Sequence, residues 1–255
     1  MENIAIIGAG ITGTSLAFEL SKYELNVILI DKENDVAMKT TKANSGIVHA
    51  GYDPKPGTKM ARLNVEGCRL IHDLYPLLNF HYRQIGSLVI GSTEEEHKKI
   101  DELYSRGIAN GVPGLEILKT SEEVHKMEPN LNPEIDYALY APSCGVVSPW
   151  ELALALGETA VVNGVRFLGD SPVLAIDRDG DNYDVKTLKE TIKARFVVNA
   201  AGVHADDIYR LALKDKKEES FHITPVKGEY YLLDKEEGKT VEHVIFQTPS
   251  SLGKG

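Results

Sequence analysis

Residues 4–13, Ile-Ala-Ile-Ile-Gly-Ala-Gly-Ile-Thr-Gly, followed by Val-Ile-Leu-Ile-Asp at 27–31, decide the fold. Four apolar residues of strand length run into Gly8-x-Gly10-x-x-Gly13. A helical pattern extends from Thr14 to Tyr23, and the second apolar run, Val27 to Ile30, stops at an acid. Strand, glycine bend, helix and strand in about thirty residues have the size of a βαβ unit with parallel strands. A lone Gly-x-Gly-x-x-Gly says little, but this one has a strand before it, a helix after it and an acid about twenty residues on. Gly8 permits the tight turn, Gly10 lets a pyrophosphate approach the backbone, and Gly13 lets helix and strand pack closely. Free N–H groups and the positive end of the helix dipole favour phosphate there. Asp31 is placed to accept both ribose hydroxyls of an adenosine. A dinucleotide is therefore expected, with NAD and FAD sharing the fingerprint.

Downstream, the polar stretch 31–46 is too polar for a core strand and too long for a tight turn, and long ordered loops are usually functional. Gly57 to Leu78 repeats apolar residues at three- and four-residue steps, an amphipathic helix. Strands are expected at Ile85–Ile90, Tyr137–Ala141, Val165–Leu168, Tyr230–Leu233 and Val241–Phe246, and a buried one at Phe196–Val198. Helices are expected at Glu94–Asn110, after Thr120 with Glu123 as a capping box, from Pro149 to about Asn163, and near Asp206. Ser148-Pro149-Trp150 reads as a helix entry with a packing indole. Asp179-Gly180 between two alternating runs predicts a hairpin. A simple NAD-binding half would add a third parallel strand soon after Asp31. Here the sheet resumes only at Phe196-Val197-Val198-Asn199-Ala200-Ala201-Gly202, which favours FAD and a large excursion between pieces of one nucleotide-binding domain.

Composition narrows the function classes. The chain has 255 residues, 38 acids against 28 bases for a net charge of -10, 42% hydrophobic and 26% charged residues. That is ordinary globular usage, and it excludes a disordered tail, a collagen-like repeat and a disulfide-rich miniprotein. Without a basic stripe no nucleic-acid partner is expected. No run approaches the roughly 18 apolar residues of a membrane span, and the N-terminus lacks a signal peptide's basic region. Cys68 and Cys144 have no metal or redox spacing and are read as packing residues, which fits a reducing, cytoplasmic setting. None of the eight histidines pairs at metal spacing, so no metal is expected. His72, His97 and His125 are read as members of solvated helix faces, as are Lys59 and Arg62.

The segments GAGITG, TTKANSGIVHAGYDPKPGTKMARLNVEG, FVVNAAG and PVKGEYYLLDK together resemble the FAD-dependent oxidoreductases of the D-amino-acid-oxidase superfamily. Within it they are most similar to bacterial glycerol-3-phosphate dehydrogenases, and next to L-2-hydroxyglutarate oxidases. The resemblance implies an α/β fold. A Rossmann-like FAD-binding domain (1–79 and 143–219) would be interleaved with part of an antiparallel-sheet α+β substrate domain (80–142 and 220–255). It implies FAD held by Gly8, Gly10, Gly13 and Asp31, by Thr41, Asn44, Ser45 and Gly46 of a polar loop running toward the flavin, by the Val173 backbone, and by Ala201 and Gly202. Met38 and Lys39 depart from the small residues usual before that loop.

The chemistry implied is oxidation of a secondary alcohol on a small anionic substrate by hydride transfer to flavin, most specifically sn-glycerol 3-phosphate to dihydroxyacetone phosphate. L-2-hydroxyglutarate or another 2-hydroxy or amino acid is the alternative within the class. A nucleotide-binding module without catalysis of its own, or an NAD-dependent dehydrogenase, stands outside it. His49 is the candidate base and Lys227 the candidate for the substrate anion. No Ser/His/Asp or Cys/His constellation supports a hydrolase. The electron acceptor, a quinone or a partner redox protein, is left open, as is peripheral docking to the inner membrane face. The resemblance also implies a chain incomplete at its C-terminus, binding FAD weakly and turning over little.

Overall fold

In the computed structural model, residues 2–213 and 221–249 are described. The expected charged break 214–220 and the glycine-rich end 250–255 lie outside them. In chain order the elements are β1 (Glu2–Ile7), α1 (Ile11–Leu20), β2 (Val27–Ile30), β3 (Ile47–Val48), α2 (Lys59–Leu78), β4 (Tyr82–Arg83) and β5 (Ser87–Gly91). There follow α3 (Glu94–Asn110), β6 (Glu116–Leu118), α4 (Ser121–Met127), β7 (Tyr137–Ala141), β8 (Gly145–Val147), α5 (Pro149–Val162) and β9 (Arg166–Leu168). The last are β10 (Val173–Asp179), β11 (Asn182–Thr187), β12 (Thr191–Asn199), α6 (Ala205–Leu213) and β13 (Val244–Gln247).

The chain divides into two compact units, 1–44 with 148–229 and 45–147 with 230–255. Both are discontinuous. The first carries a six-stranded sheet in the order β10-β11-β12-β1-β2-β9. Its strands β12, β1, β2 and β9 are parallel, and β10 and β11 form an antiparallel extension around the predicted Asp-Gly turn. All four β2 residues are buried, as expected of a parallel strand covered on both faces. Full burial of each side chain such as Ile6, Ile28, Leu29 and Ile30 contributes roughly 1.5–3 kcal/mol. Small buried residues line the adjoining helices: Gly13 and Ala17 on α1, Ala153, Gly157 and Ala160 on α5. A Cβ on Gly157 would stand 3.3 Å from Val36 and 3.5 Å from Thr14, so α5 approaches the α1 layer through small side chains.

The second unit holds a sheet in the order β13-β5-β7-β6 and a three-stranded antiparallel sheet β3-β8-β4. Its core gathers Tyr52, Val89, Ile100, Leu103, Leu115 and Leu139. Thr93 and Glu96 form a reciprocal capping box at the start of α3, and Gly111 ends that helix with φ 78°. Glu128 is fully buried, and its Oε1 accepts from the Glu242 and His243 backbone N–H groups at 2.8 and 2.6 Å, tying the lead-in to β13 to the end of α4.

Several expectations need correcting. Residues 45–79 group with the second unit, because β3 pairs with β8 and Cys68 of α2 donates to the Ser143 carbonyl at 3.2 Å. Helix α1 starts at Ile11, directly behind the glycine bend. No strand forms at Tyr230–Leu233. No neighbouring strand pairs with that run among the described residues, and its side chains are exposed. Phe196 is 57% exposed. Its ring carries the Arg195 guanidinium at 5.8 Å, so the Phe196–Val198 end of β12 is not the buried stretch expected, whereas Ile192 and Ala194 earlier in the strand are buried. The Trp150 indole is exposed too. His72 and His97 leave the solvated faces assigned to them: His72 meets the Tyr82 hydroxyl at 2.8 Å and His97 stacks on Tyr137 at 4.4 Å.

Candidate functional site

The first unit contains a cavity of about 590 Å³, within the range of small-molecule and cofactor sites. Its floor is the glycine bend. Gly8 has φ 108°, a conformation that L side chains rarely adopt, and a Cβ there would lie 2.3 Å from the Ala200 carbonyl oxygen. A Cβ on Gly13 would lie 1.8 Å from the Gly8 carbonyl oxygen. Gly10 differs, since a Cβ on it would meet only Thr41 Oγ1, at 3.0 Å. Of the three glycines, Gly10 is the one where a Cβ would meet a side chain and no backbone.

Helix α1 begins at this opening. Gly10 provides no side-chain cap, and the Ile11 N–H donates instead to Thr41 Oγ1 at 2.9 Å. No acid occupies the first turn of α1, so nothing on the helix itself opposes an anion at its positive end. Asp31, one residue past β2, lines the same cavity. Its Oδ2 accepts from the Ala9 N–H at 2.5 Å and its Oδ1 from the Glu33 N–H at 2.9 Å. Those two bonds fix the carboxylate beside the bend, each oxygen keeping a second lone pair. Beside it, Lys39 pairs with Glu33 at 2.9 Å and holds that carboxyl below the ordinary range.

Eight of the eleven residues expected to hold a cofactor line this cavity: Gly8, Gly10, Asp31, Thr41, Asn44, Val173, Ala201 and Gly202. Gly13 is buried beneath it as a packing residue. Ser45 and Gly46 open the second unit and do not line the cavity. Met38 and Lys39, the departures from the family pattern, contribute to its wall. Sequence reasoning missed the opposite wall: Ser171 and Pro172 before β10, and Val203, His204, Asp207, Ile208 and Leu211 at and in α6. The sequence signal was available, because a parallel strand ending in NAAG beside β1 must present its following helix to the same crevice.

The arrangement fits a dinucleotide. An open glycine at a helix N-terminus suits a pyrophosphate, a carboxylate at the adjoining strand end suits a ribose, and the apolar side chains of Val173, Ile208 and Leu211 suit a base. His49, just past β3 in the second unit, is half-buried and stacks on Phe246 with ring centroids 5.6 Å apart. It shares a cavity of about 30 Å³ with Tyr52, Asp53, Leu103 and Phe246. Lys227 lies on an exposed segment of the first unit without regular secondary structure, paired with Glu229 at 2.6 Å and outside the large cavity. No helix of the described residues is long and apolar enough to cross a membrane.

Known proteins point the same way. Glycerol 3-phosphate dehydrogenase of Caloramator mitchellensis is 48% identical over 255 residues, covering all of this chain and 52% of that protein. L-2-hydroxyglutarate dehydrogenase of Mus musculus is 33% identical over 96% of this chain and 54% of its own length. The chain thus spans about half the length of these relatives. Among solved structures, dithionite-reduced L-α-glycerophosphate oxidase from Mycoplasma pneumoniae with FAD bound superimposes with a TM-score of 0.84 at 29% identity, covering all of this chain and 67% of that one. The DAO family, FAD dependent oxidoreductase, matches residues 3–254. The chain belongs to this family of FAD-dependent oxidoreductases.

Proposed function

We propose that the chain forms the nucleotide-holding part of a flavoenzyme that oxidises the secondary alcohol of sn-glycerol 3-phosphate to dihydroxyacetone phosphate. The observation that carries this is the large cavity, where the glycine bend and Asp31 meet; 48% identity to a glycerol 3-phosphate dehydrogenase supports the substrate. Gly8, Gly10 and Gly13 shape the bend under the pyrophosphate, and Asp31 accepts from the adenosine ribose. Thr41 and Asn44 on the cavity wall begin the loop that would run toward the flavin, which Ser45 and Gly46 continue in sequence; Val173 would meet the adenine through its backbone, and Ala201 and Gly202 would close the second strand end. When bound, FAD supplies the hydride acceptor. His49 takes the hydroxyl proton as the C–H bond gives up its electron pair, leaving a ketone and a protonated imidazole. Histidine suits the task because its charge changes near neutral pH. Lys227 would offer a cation to the substrate's phosphate on giving up its pair with Glu229.

L-2-hydroxyglutarate is the second reading, favoured by the 33% identity to the mouse enzyme. The deciding experiment loads the protein with excess FAD under anaerobic conditions and follows the flavin absorbance in a single turnover. Bleaching by sn-glycerol 3-phosphate and not by L-2-hydroxyglutarate supports the first reading, and the reverse supports the second. FAD binding with no bleaching by any 2-hydroxy or amino acid reduces the chain to a nucleotide-binding module. Binding of NAD in place of FAD refutes both.

A further inference from the structure

His49 stands between two backbone restraints in the second unit. Before it, β3 pairs with β8 through Ile47 with Val146 and Val48 with Gly145. After it, Asn110, the last residue of α3, donates from Nδ2 to the Gly51 and Pro54 carbonyls at 2.9 and 2.8 Å. Gly51 has φ 110°, and a Cβ there would stand 2.5 Å from Val65, so the turn rests close against α2. The main chain is thereby held on both sides of His49, while its imidazole can still turn about its side-chain bonds. Phe246 stacks on that ring, 26° from parallel with centroids 5.6 Å apart. Phe246 is itself tied down. Strand β13 pairs with β5 so that Phe246 sits beside Val89, and Phe246 packs against the core of the unit. The lead-in to β13 is held by Glu128, whose Oε1 also lies 2.7 Å from His243 Nδ1.

We infer that Phe246 is a positioning residue for His49, holding the imidazole plane in the orientation that proton abstraction needs. The inference rests on the reading of His49 as the base. Stacking engages the face of an imidazole, and both ring nitrogens lie on its edge, so the contact orients the base without occupying the lone pair that takes the proton. An aromatic partner suits this role, because offset stacked rings hold a preferred geometry that an aliphatic side chain does not impose. The gain falls on rate and not on affinity. A base must be in reach of, and aligned with, the proton it removes, and Phe246 acts on the substrate through His49.

The test follows anaerobic single-turnover bleaching of the FAD-loaded protein by sn-glycerol 3-phosphate. Phe246→Leu should lower the limiting rate at saturating substrate roughly ten- to hundredfold, the range for a misaligned catalytic group, with the half-saturating concentration within about twofold of wild type. Phe246→Tyr, which keeps the ring, should restore the rate to within about threefold. Val244→Ala thins the same core from the same strand and should leave the rate unchanged. In a His49→Gln background, Phe246→Leu should cost less than about twofold more, because residues that act as a unit are not additive. A second readout needs no cofactor: the His49 ring-proton resonances, assigned by their loss in His49→Gln, should shift in Phe246→Leu and hold in Val244→Ala. Phe246→Leu at the wild-type rate, a full penalty in the His49→Gln background, a loss confined to half-saturation, or unshifted His49 resonances overturns the inference while leaving the flavin reading standing. Wild type that binds FAD without bleaching, or His49→Gln that bleaches at the wild-type rate, refutes the reading of His49 as the base, and the inference with it.

Discussion

Gly10→Ala separates nucleotide binding from folding more cleanly than any other single change. Gly10 has φ -73° and ψ -177°, which alanine adopts without strain. The added methyl would meet no backbone, only Thr41 Oγ1 at 3.0 Å. The hydroxyl can rotate away, at the cost of its bond to the Ile11 N–H, about 0.5–1.5 kcal/mol. For a chain of this size that is a fall in Tm of roughly 2–5 °C. The same methyl would stand between Gly10 and Thr41, both on the cavity wall, where the proposed pyrophosphate approaches the backbone. Loss of that approach should weaken FAD at least about a hundredfold, or about 2.7 kcal/mol. Gly13→Ala is the control, because its methyl would lie 1.8 Å from the Gly8 carbonyl oxygen and the backbone must move. That variant should lose several kcal/mol of stability. Thermal unfolding without nucleotide and a fluorescence titration with FAD measure the two effects independently. A Gly10→Ala protein that binds FAD within threefold of wild type refutes the placement of the pyrophosphate.

Asp31→Ala deletes the acceptor of two backbone N–H groups and should cost about 2–3 kcal/mol in chemical denaturation; a loss below about 0.5 kcal/mol would mean that the carboxylate does not organise the bend. His49→Ala should lower single-turnover bleaching of the flavin on the order of 10²–10⁴-fold, and a loss under tenfold removes it as the base. Asp206 is buried and accepts from the Ile223 N–H at 3.1 Å, which with Arg210 holds its carboxyl below the ordinary range. Its stabilising effect is complete above the usual aspartate value of about 3.9 and is lost as pH falls through the lower folded value. Asp206→Asn should therefore flatten the acid limb of a plot of Tm against pH, and an unchanged limb would place the acid sensitivity elsewhere.

What the residue pattern reveals tracks how local each interaction is. The βαβ unit, the Asp179-Gly180 hairpin and the ends of α3 were legible because period, turn residues and caps lie within a few positions of one another. Strands β3, β4, β6 and β8, two or three residues each, leave no period to read and exist only through their partners. The converse holds at Tyr230–Leu233, where strand-forming residues stay unpaired among the described residues and form no strand. The unit to which residues 45–79 belong is illegible for a similar reason: a helical period shows that α2 exists and says nothing of which sheet it serves. His204 carries no local signal of its place on the cavity wall, since its partner Lys32 lies 172 positions away.

The glycine fingerprint is local as a motif, yet the structure gives its first residue a non-local cause. Strand β12 pairs with β1 so that Asn199 sits beside Ile7, and the Ala200 N–H donates to the Ile7 carbonyl at 2.8 Å. That pairing brings the Ala200 carbonyl against Gly8, where any Cβ would collide with it at 2.3 Å. Gly8 is therefore required as much by the strand that returns from the far side of the chain as by the turn it makes. Asp31 obeys the same logic in the other direction, since its carboxylate is fixed by the Ala9 N–H of the bend. The cavity is thus assembled only when both neighbours of β1 are in place. It follows that nucleotide binding and pairing of β12 should be lost together: a change that frees β12 ought to abolish FAD uptake without touching a single residue of the fingerprint.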